Sequence, residues 1–197
     1  GSYTIPQNTF TRYGYDYSGF TTTPTGVKEF DAGDVIDDIR ADVKLYVVWA
    51  AKSFDVEVGG DFVYDGSEKR ATVVVKDGTK VLTEGVDYTL SYEDIVNAGT
   101  AKVTVTGMGE YLACTVERTY TIAKADYGRS GVRFDDASAV YDGREHGLTV
   151  TGTLPTGADG IALTVSYSDG RTDVGNTTVT ATFSTTSINY NVPASMS

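Results

Sequence analysis

The chain has little of what enzymes and cross-linked domains depend on. Cys114 is its one cysteine, so no intrachain disulfide can form, and the lone thiol leaves the redox compartment open. His146 is its one histidine. A structural zinc site wants four Cys or His ligands, and these two residues fall short of it. No apolar run approaches the roughly 20 residues that a membrane helix needs. Leu and Ala at helical spacing are almost missing. Basic residues are outnumbered, 16 against 27 acidic ones, for a net charge of −11. Nucleic acid and anionic membrane are therefore excluded as default partners, because phosphate recognition needs a basic surface. No signal peptide is visible. The opening Gly1-Ser2 reads as the scar of a removed tag, and the chain as an excised piece, with any export signal or anchor outside it.

What is present points to sheets. There are 22 Gly and 14 Tyr, with abundant Thr, Val and Asp. Aromatic and β-branched residues suit pleated surfaces, while Gly and Asp suit turns. The expected class is mostly β.

Self-similarity organises the chain. Tyr64-Asp65-Gly66 returns as Tyr141-Asp142-Gly143, 77 positions later. Asn97-Ala98-Gly99, followed by an alternating stretch, matches Asp173-Val174-Gly175 at an offset of 76. Tyr111 matches Tyr190 at 79. Two repeats follow, residues 52–124 and 125–197, behind a different leading segment, residues 1–51.

In the first repeat, strands are expected over 54–58, 71–76, 86–92, 101–106 and 115–123, with a hairpin at Asp77-Gly78. In the second they are expected over 132–134, 147–151, 161–167, 177–183 and 191–192. Its closing strand reads as cut off or unpaired, which leaves an open sheet edge. In the leading segment, 14–20 is aromatic and turn-rich, 43–49 is the most apolar run of the chain, and 37–40 reads as one helical turn. The junctions at Ala50-Ala51-Lys52 and Ala123-Lys124-Ala125 lack the composition of flexible linkers.

Thr9-Phe10-Thr11-Arg12-Tyr13-Gly14-Tyr15, Gly19-Phe20, Ala32-Gly33-Asp34 and the run from Ala41 through Asp42, Leu45 and Tyr46 to Trp49 resemble the Listeria–Bacteroides repeat, or internalin B-type repeat. The later segments resemble the MBG or YDG-type repeat domains of bacterial surface proteins. The carrying residues are the two Tyr-Asp-Gly triplets, Glu84-Gly85-Val86-Asp87-Tyr88, Asn97-Ala98-Gly99, His146, Thr151-Gly152, Asp173-Val174-Gly175 and Asn189-Tyr190-Asn191-Val192. The resemblance implies three small tandem β-modules in an elongated arrangement: a β-grasp-like first unit and two related β-sandwich or β-grasp-like units. It implies a secreted protein at the bacterial cell surface or cell wall, adhesin-like, and no catalytic residues.

The expected cores use Phe20, Phe30, Tyr46 and Trp49; then Phe54, Tyr88, Tyr92 and Tyr120; then Phe134, Tyr167, Phe183 and Tyr190. Each Tyr-Asp-Gly is expected to lay its Tyr on the sheet while Asp-Gly makes the turn. His146 reads as a structural residue with no counterpart in the first repeat. Cys114 reads as buried and inert. The acidic groups Asp31, Asp34, Asp37, Asp38 and Asp135, Asp136 read as solvated surface, since no D-x-D-x-D-G loop with a trailing Glu accompanies them. A Lys–Asn isopeptide using Lys102 or Lys124, Asn97 and Glu93 is disfavoured, because Thr178 replaces Lys102 in the second repeat. Gly107-Met108-Gly109 lacks the strand–helix context of a phosphate loop, and no cofactor is expected.

The sequence thus reads as a non-catalytic stalk region whose partners are neighbouring repeats. The alternatives are a binding module for a host protein or glycan, with Tyr13, Tyr15 and Tyr17 as its surface aromatics, and an accessory region of a large secreted glycan-active enzyme.

Overall fold

A computed structural model describes residues 1–7 and 9–197. The protein is nearly all β, built from several small sheets. Its strands are β1 (Tyr3–Thr4), β2 (Tyr15–Thr21), β3 (Val35–Ile36), β4 (Tyr46–Ala51), β5 (Asp55–Gly59), β6 (Phe62–Val63), β7 (Thr72–Asp77) and β8 (Lys80–Val81). They continue as β9 (Tyr88–Glu93), β10 (Gly99–Gly107), β11 (Thr115–Ala123), β12 (Ala125–Asp126), β13 (Thr164–Tyr167), β14 (Ala181–Ser184) and β15 (Tyr190–Asn191). Among the described residues no helix is long and apolar enough to cross a membrane.

The backbone divides into two compact units. The first comprises Gly1–Gly59, Ala71–Glu93 and Lys102–Thr119. Here β1 pairs with β3, and β2 pairs antiparallel with β4 around a bulge between Tyr17 and Gly19. The sheet β5-β7-β8 turns through Gly78 and Thr79, between the paired Asp77 and Lys80, a hairpin where the Asp-Gly signal predicts one. Strand β10 pairs with β9 from Lys102↔Glu93 to Gly107↔Tyr88. Alternate residues of these strands point inward, so Phe54, Val56, Val75, Leu82, Tyr88, Val105, Tyr111 and Cys114 close one apolar core. Fully burying one such valine contributes about 1.5–3 kcal/mol relative to exposure.

The second unit comprises Gly60–Arg70, Asp94–Ala101 and Tyr120–Ser197. Strand β6 pairs in parallel with the end of β11, and β12 pairs in parallel with β15. Strands β13 and β14 form an antiparallel pair. Tyr127, Val132, Leu163 and Phe183 form its core, with Val150, Leu154, Val165, Tyr190 and Met196 packed against them.

Several local expectations change. The helical turn at 37–40 does not form. Asp38 sits at φ 56°, and the Ile39 N–H bonds the Gly1 carbonyl, far outside helical range. In the second repeat, the strands expected over 132–134 and 147–151 shrink to the single bridge Arg133↔Thr151. Residues 135–145 between them, Val140 and Tyr141 included, are exposed throughout, so no burial drives a longer ladder. The 177–183 strand shortens to β14 because Thr177 and Thr178 are exposed. The chain's last residues make one antiparallel bridge, Met196↔Ala181, in place of a closing strand. Tyr167, expected in the core, is 36% exposed; its ring stacks on Phe134 and its hydroxyl accepts the Val150 N–H.

Candidate functional site

The two Tyr-Asp-Gly triplets build the same turn. The Asp65 carboxylate accepts the Ser67 N–H at 2.9 Å, and the Asp142 carboxylate accepts the Arg144 N–H at 2.9 Å. Each is a side-chain-closed turn of the kind Asp makes two residues ahead of itself. The next residue must turn left-handed, and Gly66 and Gly143 supply φ values of 85° and 77°. Four residues beyond each Asp stands a cation or potential cation that closes onto it: Lys69 on Asp65, His146 on Asp142 at 2.9 Å. The Lys69 N–H then bonds the Ile95 carbonyl, and the His146 N–H bonds the Arg171 carbonyl. His146 therefore does have a counterpart in the first repeat, Lys69, at the same offset of 77 as the triplets.

The two tyrosines part company. Tyr64 is 5% exposed, whereas Tyr141 is 62% exposed. Tyr64 and Tyr190 meet edge-on with ring centroids 5.5 Å apart, and Tyr190 also stacks on Tyr127 at 4.4 Å. The Tyr64 ring thus meets Tyr190 of the following repeat while its N–H bonds the Ala123 carbonyl of its own repeat, all of it inside the second unit.

A polar cluster surrounds this aromatic contact. Asn189 is 4% exposed and spends its whole side chain on partners. Its Oδ1 accepts the Ala98 N–H at 2.9 Å, and its Nδ2 donates to Asn97 Oδ1 and Asp159 Oδ2 at 3.3 Å each. Asp159 also accepts the Ser187 hydroxyl and the Ile161 N–H. A buried amide satisfied in this way rigidifies its surroundings, and each bond is worth about 1 kcal/mol net. The Ser187 hydroxyl, first among its donors, holds the Asp159 carboxyl below its ordinary range. Lys69 does the same for Asp65, and the Arg144 N–H followed by His146 for Asp142.

These shifts predict an acid response. A carboxyl with a depressed folded pKa stabilises fully above its unfolded value, near pH 4 for Asp, and that stabilisation is lost as pH falls through the lower folded value. The urea midpoint is expected to drop between about pH 5 and about pH 2.5. The triple variant Asp65→Asn, Asp142→Asn, Asp159→Asn should lose visibly less over that span. Equal losses in the two proteins would refute the assignment.

The other candidate residues are placed separately. Tyr13 is 72% exposed. Tyr15 is half-buried, with the Arg12 guanidinium 3.9 Å above its ring. Tyr17 packs edge-on against Phe20, and its buried hydroxyl has no hydrogen-bond partner among the described residues. Burial, then the Asp31 charge, pushes that phenol above its ordinary pKa.

Cys114 is buried, its thiol donates to the Lys52 carbonyl, and burial pushes its pKa up. A thiol so placed is a poor nucleophile. Lys102 sits between Glu93 and Glu117, while the Asn97 side chain is taken by Asn189. Asp31 pairs with Lys28, Asp38 with Arg40, and Asp34 accepts the Asp31 N–H. Among the described residues, no group of three or more His, Cys, Asp or Glu side chains is arranged to hold a metal ion.

No family model matches the chain. No curated protein and no solved structure matches it either. The site therefore has to be read from its own geometry.

Sequence reasoning marked Tyr64, Asn97 and Asn189-Tyr190 as repeat landmarks but missed Asp159, Ser187 and Tyr127. A signal for the cluster was available at Asn189. Glu110 stands in the first repeat where Asn189 stands in the second, and an acid exchanged for an amide marks a changed neighbour. Glu110 pairs with Lys52, which Asp16 also approaches.

Proposed function

We propose that this chain is a non-catalytic structural region of an exported bacterial surface protein, a series of β-modules whose two later repeats are held to one another by a turn-and-tyrosine joint. The observation that carries the reading is the joint itself. One turn is built twice with the same Asp-to-N–H bond, and the polar residues gathered round Asn189 are spent on holding protein to protein. The likeness of the two repeats to MBG or YDG-type domains, and of residues 1–51 to the Listeria–Bacteroides repeat, supports the same reading and the adhesin-like, cell-wall setting. Tandem units whose neighbours fit closely give stability that sums along the array.

Antibody raised against the chain is expected to label intact, unpermeabilised cells of the source bacterium, and mild protease treatment of those cells to remove the label. Labelling that needs permeabilisation would overturn the proposal. A glycan array separates the alternative: saturable binding abolished by Tyr13→Ala would favour a binding module.

A further inference from the structure

The joint has two sides, and one end of the chain displays one side with nothing on it. In the first repeat the turn-bearing side consists of Tyr64, Gly66, Asn97 and Ala98. It receives Tyr190, Ala158 and Asn189. A Cβ placed on Gly66 would lie 3.2 Å from the Ala158 Cβ, so the backbone at this turn is itself in contact. By the offsets of 77 and 76, the same side of the second repeat consists of Tyr141, Gly143, Asp173 and Val174.

Its backbone is already in the receiving shape. The turns share the Asp-to-N–H bond and the contact from the residue four positions on, the Lys69–Ile95 link has its match in His146–Arg171, and Gly99 and Gly175 both sit at φ 139°, although Arg171, where the first repeat has Ile95, also bonds the Asp173, Val174 and Asn176 carbonyls. Tyr141 is 62%, Val174 79% and neighbouring Val140 88% exposed. Clustered large apolar side chains on a surface mark an interaction site more often than scattered ones do.

We propose that the face formed by Tyr141, Gly143, Asp173 and Val174 docks a further β-module of the same repeat type, one that presents an Asn-Tyr pair as Asn189-Tyr190 does. The incoming tyrosine lies edge-on to Tyr141. The incoming carboxamide accepts the Val174 N–H and donates to Asp173. A carboxylate there makes a charge-assisted bond, stronger than the amide–amide bond at Asn97.

A second copy of this chain is a poor occupant. Its own Asn189-Tyr190 is taken by its own Tyr64, Asn97 and Ala98, and the equivalent Glu110-Tyr111 is engaged by Lys52. The two sides of the joint differ, so the contact is heterologous and extends an array without closing it. The inference rests on the module-joint reading above only for the kind of partner.

The test uses the chain extended after Ser197 by a second copy of residues 118–197, which supplies the sequence of β11 and then one more module. Amide exchange at residues 171–175 is expected to slow by about tenfold or more relative to the 197-residue chain. Oxidative footprinting of Tyr141 should fall to the level of Tyr64. Tyr141→Ala should lower the unfolding midpoint of the extended chain and leave that of the 197-residue chain unmoved.

Tyr141 equally reactive in both chains overturns the proposal. Protection of Tyr141 that appears in the 197-residue chain on raising its concentration does so too, because the occupant is then a second copy. The independent arm is Tyr64→Ala in the 197-residue chain, which is expected to speed exchange of the Ala98 N–H. If that amide is unaffected, the turn-bearing side does not hold a neighbour, and the proposal falls whatever the extended chain does. Surface labelling of cells is untouched by either result, so the docking face can fail while the surface-module reading stands.

Discussion

Tyr111→Ala should destabilise the first unit by about 3–5 kcal/mol, the range for deleting a large buried ring. Tyr111 is 1% exposed, lies edge-on to Phe54, and its hydroxyl donates to the Asp77 carboxylate at 2.8 Å. The Gly107 backbone presses against it so closely that a Cβ at Gly107 would stand 1.9 Å from the Tyr111 carbonyl oxygen. Such a site cannot collapse to fill the hole. Small domains hold only about 5–15 kcal/mol in total, so a large share of the stability goes. Urea denaturation followed by near-ultraviolet circular dichroism measures it. Tyr111→Phe keeps the ring and strands the carboxylate, for a loss of about 1–2 kcal/mol. Burial and then the Asp77 bond push the Tyr111 phenol up to about 12. For an acid whose folded pKa is raised, stability is intact below its unfolded value near pH 10 and drains away as pH climbs toward the folded one. The phenylalanine variant should lack that alkaline loss, and a wild-type loss of equal size in both proteins would sink the assignment.

Tyr190→Ala is the second large effect, about 3 kcal/mol by the same reasoning, discounted because the residue is half-buried. The ring contacts both Tyr64 and Tyr127, and its hydroxyl accepts the Ala158 N–H at 2.8 Å. The substitution removes both ring contacts and leaves that N–H without its acceptor. The prediction is specific about where the damage appears. Hydrogen exchange should rise at Ala98, Ala125 and Ala158, and the β5-β7-β8 sheet should keep its protection. Uniform loss of protection through both units would mean that Tyr190 is a general core residue with no particular tie to the joint.

The β class, the Asp-Gly hairpin and the strands of the first repeat were legible because their signals are local. Alternation over 101–106 and 115–123 buries one face of each strand whatever lies beyond it, and β10 and β11 cover those stretches. The second repeat was harder to read because its ladders are short. Thr177 and Thr178 have strand propensity but no sheet to join, and Asp135 to Val140 stay exposed, with no burial to reward them. Propensity names a residue's preference, whereas neighbours decide whether it is used. Tyr141 shows the same limit. Identical triplets predict identical turns, and the turns are identical, but the fate of each tyrosine depends on a surface 126 positions away in one repeat, from Tyr64 to Tyr190. His146 was misread for a simpler reason: Lys and His look unrelated until one asks which of their atoms reaches the Asp.

The parallel pairing of β12 with β15 has a mechanical meaning. The Ala125 N–H bonds the Asn189 carbonyl, the Tyr127 N–H bonds the Asn191 carbonyl, and Asn191 donates to the Asp126 carboxylate. These are the first and last strands of the second repeat, lying side by side and running the same way. A pull on Lys124 and an opposite pull beyond Val192 slides one strand along the other. The bonds between them are then loaded together and must rupture together, whereas a hairpin pulled from its open end yields one rung at a time.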